Sequence, residues 1–232
     1  MALSEAVQTL ERELRGVFGS RLQSLITYGM RGEAAPPIRT MALVESLSEE
    51  DLRACAARAR AWHDAGLATP LLLPAQEFAR SLDVFPLELG AIMADHVVVS
   101  GAPPFDRLAV DAADVRRACE VQARGHLLHL REGFVEAAGN NDALAVLLVQ
   151  SAPALSVLLK SIARLDGRTD NDAAAAGRRA ERILGVAGGT MTDVIELAHV
   201  HEISGAEAAR IFPAHLGAVE RLVEYVDGWS SR

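Results

Sequence analysis

The chain has 232 residues, half of them apolar, and a formal charge of −8. Such a length gives one large domain or two modest ones with a real core, and the apolar share excludes a disordered chain. The acidic balance lacks the electrostatic footprint of a non-specific nucleic-acid binder, so no nucleic-acid partner is expected. Aromatic residues make up only 4% while Ala and Leu abound, which favours helix.

Residues 3–17 place Leu3, Val7, Leu10, Leu14 and Val17 at three- and four-residue steps, one face of a helix. The opening Met1-Ala-Leu-Ser-Glu5 reads as the start of that helix rather than a secretory signal, so a cytoplasmic location is expected. Leu22, Leu25, Ile26 and Tyr28 suit a buried strand that ends at Gly29, and Ile38 to Val44 reads as a second strand. Ser48-Glu-Glu-Asp51 starts a helix with acids at the positive end of its dipole, running through Cys55, Ala59 and Trp62 to Gly66. A third strand is expected over 67–73, closed by Pro74, then a short helix over 75–81 and a fourth strand at Val97-Val-Val99. Ser100-Gly-Ala-Pro-Pro104 is the best linker in the chain.

Beyond it the periodicity is only helical. Helices are expected over 111–137, 141–165, 172–184, 192–199 and 205–225. The most apolar stretch, Ala143 to Leu159, is interrupted by Gln150, Ser151 and Pro153, which suits a buried helix better than a membrane span. Short loops between helices imply an antiparallel bundle. The expected fold is therefore α+β: a small mixed-sheet domain over 1–105 and an all-α antiparallel bundle over 106–232. Cys55 and Cys119, the only cysteines, fall in Ala-rich helices and read as buried thiols in a reducing compartment.

Several stretches carry a family likeness. They are Val17-Phe-Gly-Ser-Arg-Leu22, Tyr28-Gly29, Arg31-Gly32-Glu33, Asp83 to Glu88, Ser100-Gly101 with Pro104-Phe105, and Glu120 to Arg131 with His126, His129 and Leu130. Together with the order of elements, the chain resembles a polymerase-beta-type nucleotidyltransferase domain followed by a helical bundle. Kanamycin nucleotidyltransferase-like proteins have this layout, which is shared by many bacterial proteins. The resemblance implies a Gly-Ser turn that holds phosphate oxygens and an acidic pair on the next strand that holds magnesium.

The chain departs from that pattern where the chemistry lies. Met30 follows Gly29, and residues 34–44 contain no Asp or Glu. The positions expected to be acidic fall near Ile38 and Thr40, and the third strand has no carboxylate. Glu33, Glu45 and Glu77 would have to converge for a rearranged acidic site. The sequence thus points to a catalytically degenerate relative, a pseudoenzyme with no catalytic residue, no metal ligand and no cofactor. Magnesium enters only if an active transferase with rearranged acids holds instead. Gly29, Met30, Arg31 and Gly32 are the residues expected nearest a ligand, a nucleotide or other small molecule in the cleft between the two parts. A third reading is an interaction module, a homodimer or one half of a toxin–antitoxin-like pair, acting through the bundle. No membrane partner is expected.

Other patterns carry less. His126 and His129 lie three apart on one helix and are candidates to share a metal, as are His199 and His201, yet a packed helix face accounts for the first pair and a turn for the second. Arg124 and His129 match the Arg-x4-His spacing of helical ribonuclease domains, but Arg58 and His63 match it equally. Gly185 to Thr190 lacks the lysine of a phosphate loop and reads as a helix end. Arg178, Arg179 and Arg182 read as a solvated face, and Asp95-His96 is too short a pattern to specify acid–base work. Glu88 reads equally as a solvent-facing position or as a tie to an arginine.

Overall fold

In a computed structural model of the chain, residues 5–29, 37–167, 172–200 and 202–229 are described. The chain divides into two compact units, Met1–Val110 and Asp111–Arg232. The architecture is α+β, a small mixed sheet followed by a helical bundle.

In the first unit, α1 (Glu5–Phe18) is followed by a 3-10 turn, Gly19–Arg21, and by β1 (Leu22–Tyr28) and β2 (Arg39–Val44). Next come α2 (Glu49–Ala56), α3 (Ala59–Asp64), β3 (Leu71–Pro74), α4 (Ala75–Arg80), α5 (Pro86–Ala94) and β4 (His96–Gly101). The sheet order is β3-β2-β1-β4. β1 runs antiparallel to both β2 and β4, while β2 and β3 are parallel.

Alternation along the strands feeds two cores. Leu25, Ala42 and Val44 pack against Leu10, Leu14 and Trp62 from the helical layer on one face. Ile26, Met41 and Leu43 pack with Phe78, Ile92 and Phe105 on the other. The Trp62 indole donates a 2.6 Å hydrogen bond to Glu13, fastening α3 to α1. Gly101 at φ +87° lets β4 close on β1, since a Cβ there would lie 2.0 Å from the Gln23 carbonyl oxygen.

Three local expectations are corrected. The helix expected from Ser48 to Gly66 is two helices, broken at Ala57 and Arg58. Its start is as read: Ser48 and Asp51 form a reciprocal capping box, and the Arg21 guanidinium holds both Asp51 oxygens at 2.7 and 2.8 Å. This pairing pulls the Asp51 carboxyl far below the usual range. The third strand is shorter than expected, because Leu67 makes only an isolated bridge to Ile38 before the chain reaches Leu71. The segment 100–104 is not a free linker. Ser100 and Gly101 belong to β4, and Phe105 is buried, stacked on Phe78 with ring centroids 4.9 Å apart.

The second unit contains α6 (Ala112–Ala137), α7 (Asn141–Leu165), α8 (Ala173–Leu184), α9 (Thr192–Glu196) with a 3-10 turn at Leu197–His199, and α10 (Gly205–Asp227). Asp111, Asn140, Asp172 and Ser204 cap α6, α7, α8 and α10 with their side-chain oxygens. α7 packs against α6, α8, α9 and α10. Its length and apolarity match those of a membrane span; its central place in the bundle accounts for both, with Leu148, Ala152, Leu155, Leu158 and Leu159 buried. Burial also raises the Cys55 thiol and pushes the Cys119 thiol up to about 12, so neither is a ready nucleophile.

Candidate functional site

The candidate site lies at the end of the sheet where β1 stops and Gly29 turns. Tyr28 pairs directly with Arg39 on β2 and with His96 on β4. Residues directly opposite in an antiparallel ladder share a face, so Arg39, Tyr28 and His96 form one row across three strands. Gly29 has φ +68° and donates its N–H to the Asp95 carbonyl oxygen at 3.0 Å, joining the turn to the start of β4. A Cβ on Gly29 would lie 3.7 Å from Arg39 Nη1, so the guanidinium rests against the turn. Arg39 is exposed, Tyr28 and His96 are half-buried, and Asp95 is buried.

The chemistry of the row follows from its surroundings. Burial raises the Tyr28 phenol and Arg39 partly opposes that, so Tyr28 is a neutral hydroxyl at neutral pH. His96 Nδ1 sits 3.0 Å from the Met93 carbonyl oxygen. A carbonyl only accepts, so Nδ1 carries the proton and Nε2 of the neutral ring keeps its lone pair. The ring is held edge-on to Phe105, with centroids 4.8 Å apart. The site therefore offers a fixed positive fork, a phenol and an imidazole acceptor.

Among the ligand residues expected from sequence, Gly29 stands at this end of the sheet. Met30, Arg31 and Gly32 lie outside the described residues, as does Glu33. Ile38 packs into the α1-side core, and Thr40 is wholly buried on that face. Glu45 follows β2 at the far end of the sheet, where its N–H bonds the Arg21 carbonyl oxygen. Glu77, on α4 after β3, is exposed, and parallel pairing of β3 with β2 puts the start of α4 at that same far end. Neither converges on Gly29. Asp95 is the acidic residue whose backbone carbonyl the fold brings to the turn, and Asp95-His96 had too little pattern in sequence to announce it. Magnesium, which the resemblance implies, does not fit this end of the sheet. Among the described residues, Ile38, Arg39 and Thr40 occupy the stretch where the resemblance implies an acidic pair.

The remaining candidates separate. His126 is buried against His215, with ring centroids 6.2 Å apart. His129 is exposed and lies 3.7 Å from Glu132, so His126 and His129 do not share a ligand. His199 lies in the 3-10 turn, and His201 is outside the described residues. Arg124 is tied to Asp227 at 2.5 Å and to Glu120 at 3.3 Å, which anchors α6 to α10. Arg179 pairs with Asp166 at 3.2 Å, and Arg178 lies 3.7 Å from Asp172. Gly185, at φ +63°, ends α8. Glu88 is exposed, the solvent-facing alternative. Among the described residues, no group of three or more His, Cys, Asp or Glu is placed to hold a metal ion.

No protein-family model matches the chain, and no curated protein matches it in sequence. Among solved structures, it is similar to spectinomycin adenyltransferase AAD(9) from Enterococcus faecialis, determined with ATP and spectinomycin. The TM-score is 0.57 at 11% identity, covering 94% of this chain and 98% of that one. This likeness shows a nucleotidyltransferase-like fold.

Proposed function

We propose that this chain is a catalytically degenerate nucleotidyltransferase-like protein that binds a small ligand, such as a nucleotide, at the Gly29 end of its sheet. The observation that carries the reading is the identity of the side chains there. Ile38 and Thr40 are packed into the core, Arg39 is a cation, and β3 is Leu71-Leu-Leu-Pro74. A two-metal transfer depends on carboxylates at such positions to hold the ions that offset charge on the departing pyrophosphate. The likeness to an adenyltransferase holding ATP and spectinomycin supports a nucleotide as the first ligand to test. Calorimetry with ATP, GTP and CTP, with and without magnesium, is paired with an assay of pyrophosphate release. The expected result is release no faster than in buffer; sustained magnesium-dependent release would overturn the reading.

A second reading, association of two copies through the bundle, is favoured by one feature. Val121, Leu128 and Val135 recur every seven residues on α6 and are 71%, 62% and 75% exposed. Apolar residues repeated at that spacing form a stripe suited to another helix. If two copies associate there, sedimentation will show a dimer that Leu128→Glu converts to monomer. A monomer at high concentration for the unaltered chain removes this reading.

A further inference from the structure

We infer that Arg39, Tyr28 and His96 form a metal-independent site for a phosphorylated, hydroxyl-bearing small molecule, with Arg39 on the phosphate oxygens and His96 Nε2 accepting from a ligand hydroxyl. The inference rests on the reading that the α/β unit binds a ligand, and it names the chemistry of that ligand.

Three observations support it. First, Arg39 is exposed and makes no ion pair among the described residues, and its Nη1 lies 3.7 Å from where a Cβ on Gly29 would stand. A guanidinium presents several donors in a rigid fork that matches phosphate oxygens. Second, the registers Tyr28↔Arg39 and Tyr28↔His96 bring cation, phenol and imidazole into one row. Adjacent strands are about 4.8 Å apart, so the Arg39 and His96 backbones stand roughly 10 Å apart across the sheet. Third, the His96–Met93 bond fixes the proton on Nδ1 and leaves Nε2 as an acceptor. A sugar hydroxyl can donate to that acceptor while the phosphate oxygens of the same molecule stay on Arg39.

Arg39 supplies the positive charge of this row from the chain itself. Binding should therefore survive chelation. The test is calorimetry in excess EDTA with AMP, ribose 5-phosphate, inorganic phosphate and adenosine as probes. AMP, ribose 5-phosphate or both are expected to bind, and which of them binds tells a nucleotide site from a sugar-phosphate site. Arg39→Gln should weaken binding at least tenfold, as expected for loss of a charge-assisted contact. Its melting temperature should be unchanged because the side chain is exposed. Arg39→Lys should retain part of the affinity. His96→Phe, which keeps a ring against Phe105, should weaken the sugar-bearing probes more than inorganic phosphate. Absence of binding by all phosphorylated probes, a requirement for magnesium, or unchanged affinity in Arg39→Gln would each overturn the inference. Pyrophosphate release with magnesium would overturn catalytic degeneracy while leaving the chelation result standing, so the two can fail separately.

Discussion

Lowering the pH from about 6.5 to 4 is expected to destabilise the helical unit through two buried histidines. His126 and His215 are buried in its core with ring centroids 6.2 Å apart. Burial is the main cause that lowers both, from 6.5 to about 4. The exposed His129 lowers His126 further, and His126 lowers His215; the Thr190 backbone opposes this only in part. Neither ring nitrogen of His215 makes a hydrogen bond of good geometry, so the neutral ring is buried as a nearly apolar group. The sign follows directly. The unfolded chain takes up protons near 6.5 while the folded rings resist until about 4. Stability is complete above the unfolded value and falls as the pH drops through this window. Each ring contributes up to roughly 3 kcal/mol, and coupling keeps the pair below twice that. The check is urea unfolding at several pH values, read at Trp229 of the helical unit in a chain whose Trp62 is replaced by Phe. A His126→Leu, His215→Leu double variant should be at least as stable at pH 7 and flat across the window. An acid limb unchanged in that variant would refute the assignment.

Glu181→Ala should cost about 3 kcal/mol or more, because it strands several buried donors at once. Glu181 Oε1 accepts from the Met191 N–H at 2.9 Å, the Thr192 N–H at 2.8 Å and the Thr192 hydroxyl at 2.9 Å. It thereby caps the start of α9 from α8. Those bonds hold its carboxyl below the usual range although burial pushes it up. All three bonds use one oxygen, which Glu181→Gln retains, so that variant should lose only about 1 kcal/mol. Equilibrium unfolding of the two variants separates the effects. Equal losses would show that charge, rather than the acceptor oxygen, holds α9 in place.

These two sites show where sequence reading runs out. In the sequence Glu181 stands among Arg178, Arg179 and Arg182, and His126 reads as a neighbour of His129 on one helix. Their partners, Met191, Thr192 and His215, come from other helices. By contrast the bounds of α1, β1, β2, α7 and α8 followed closely from periodicity and caps. Those signals are local: Asp172 bonds to N–H groups two and three residues on. The break at Ala57 and Arg58 was not legible, because the apolar spacing runs on unchanged through it.

The candidate site divides in the same way. Composition and side-chain identity were enough to reveal a Gly29 turn followed by strands without acids, since an absent carboxylate needs no partner to be seen. The row made by Arg39, Tyr28 and His96 was decided by strand register. Arg39 and His96 lie far apart in the chain and reach one face only because β1 pairs on both sides. A shift of one residue in either ladder would send a side chain to the opposite face. The same geometry carries Glu45 and Glu77 to the far end of the sheet and leaves Asp95 beside the turn. Local spacing reports the elements and what they lack; which distant side chains meet depends on pairing between strands, which that spacing does not encode.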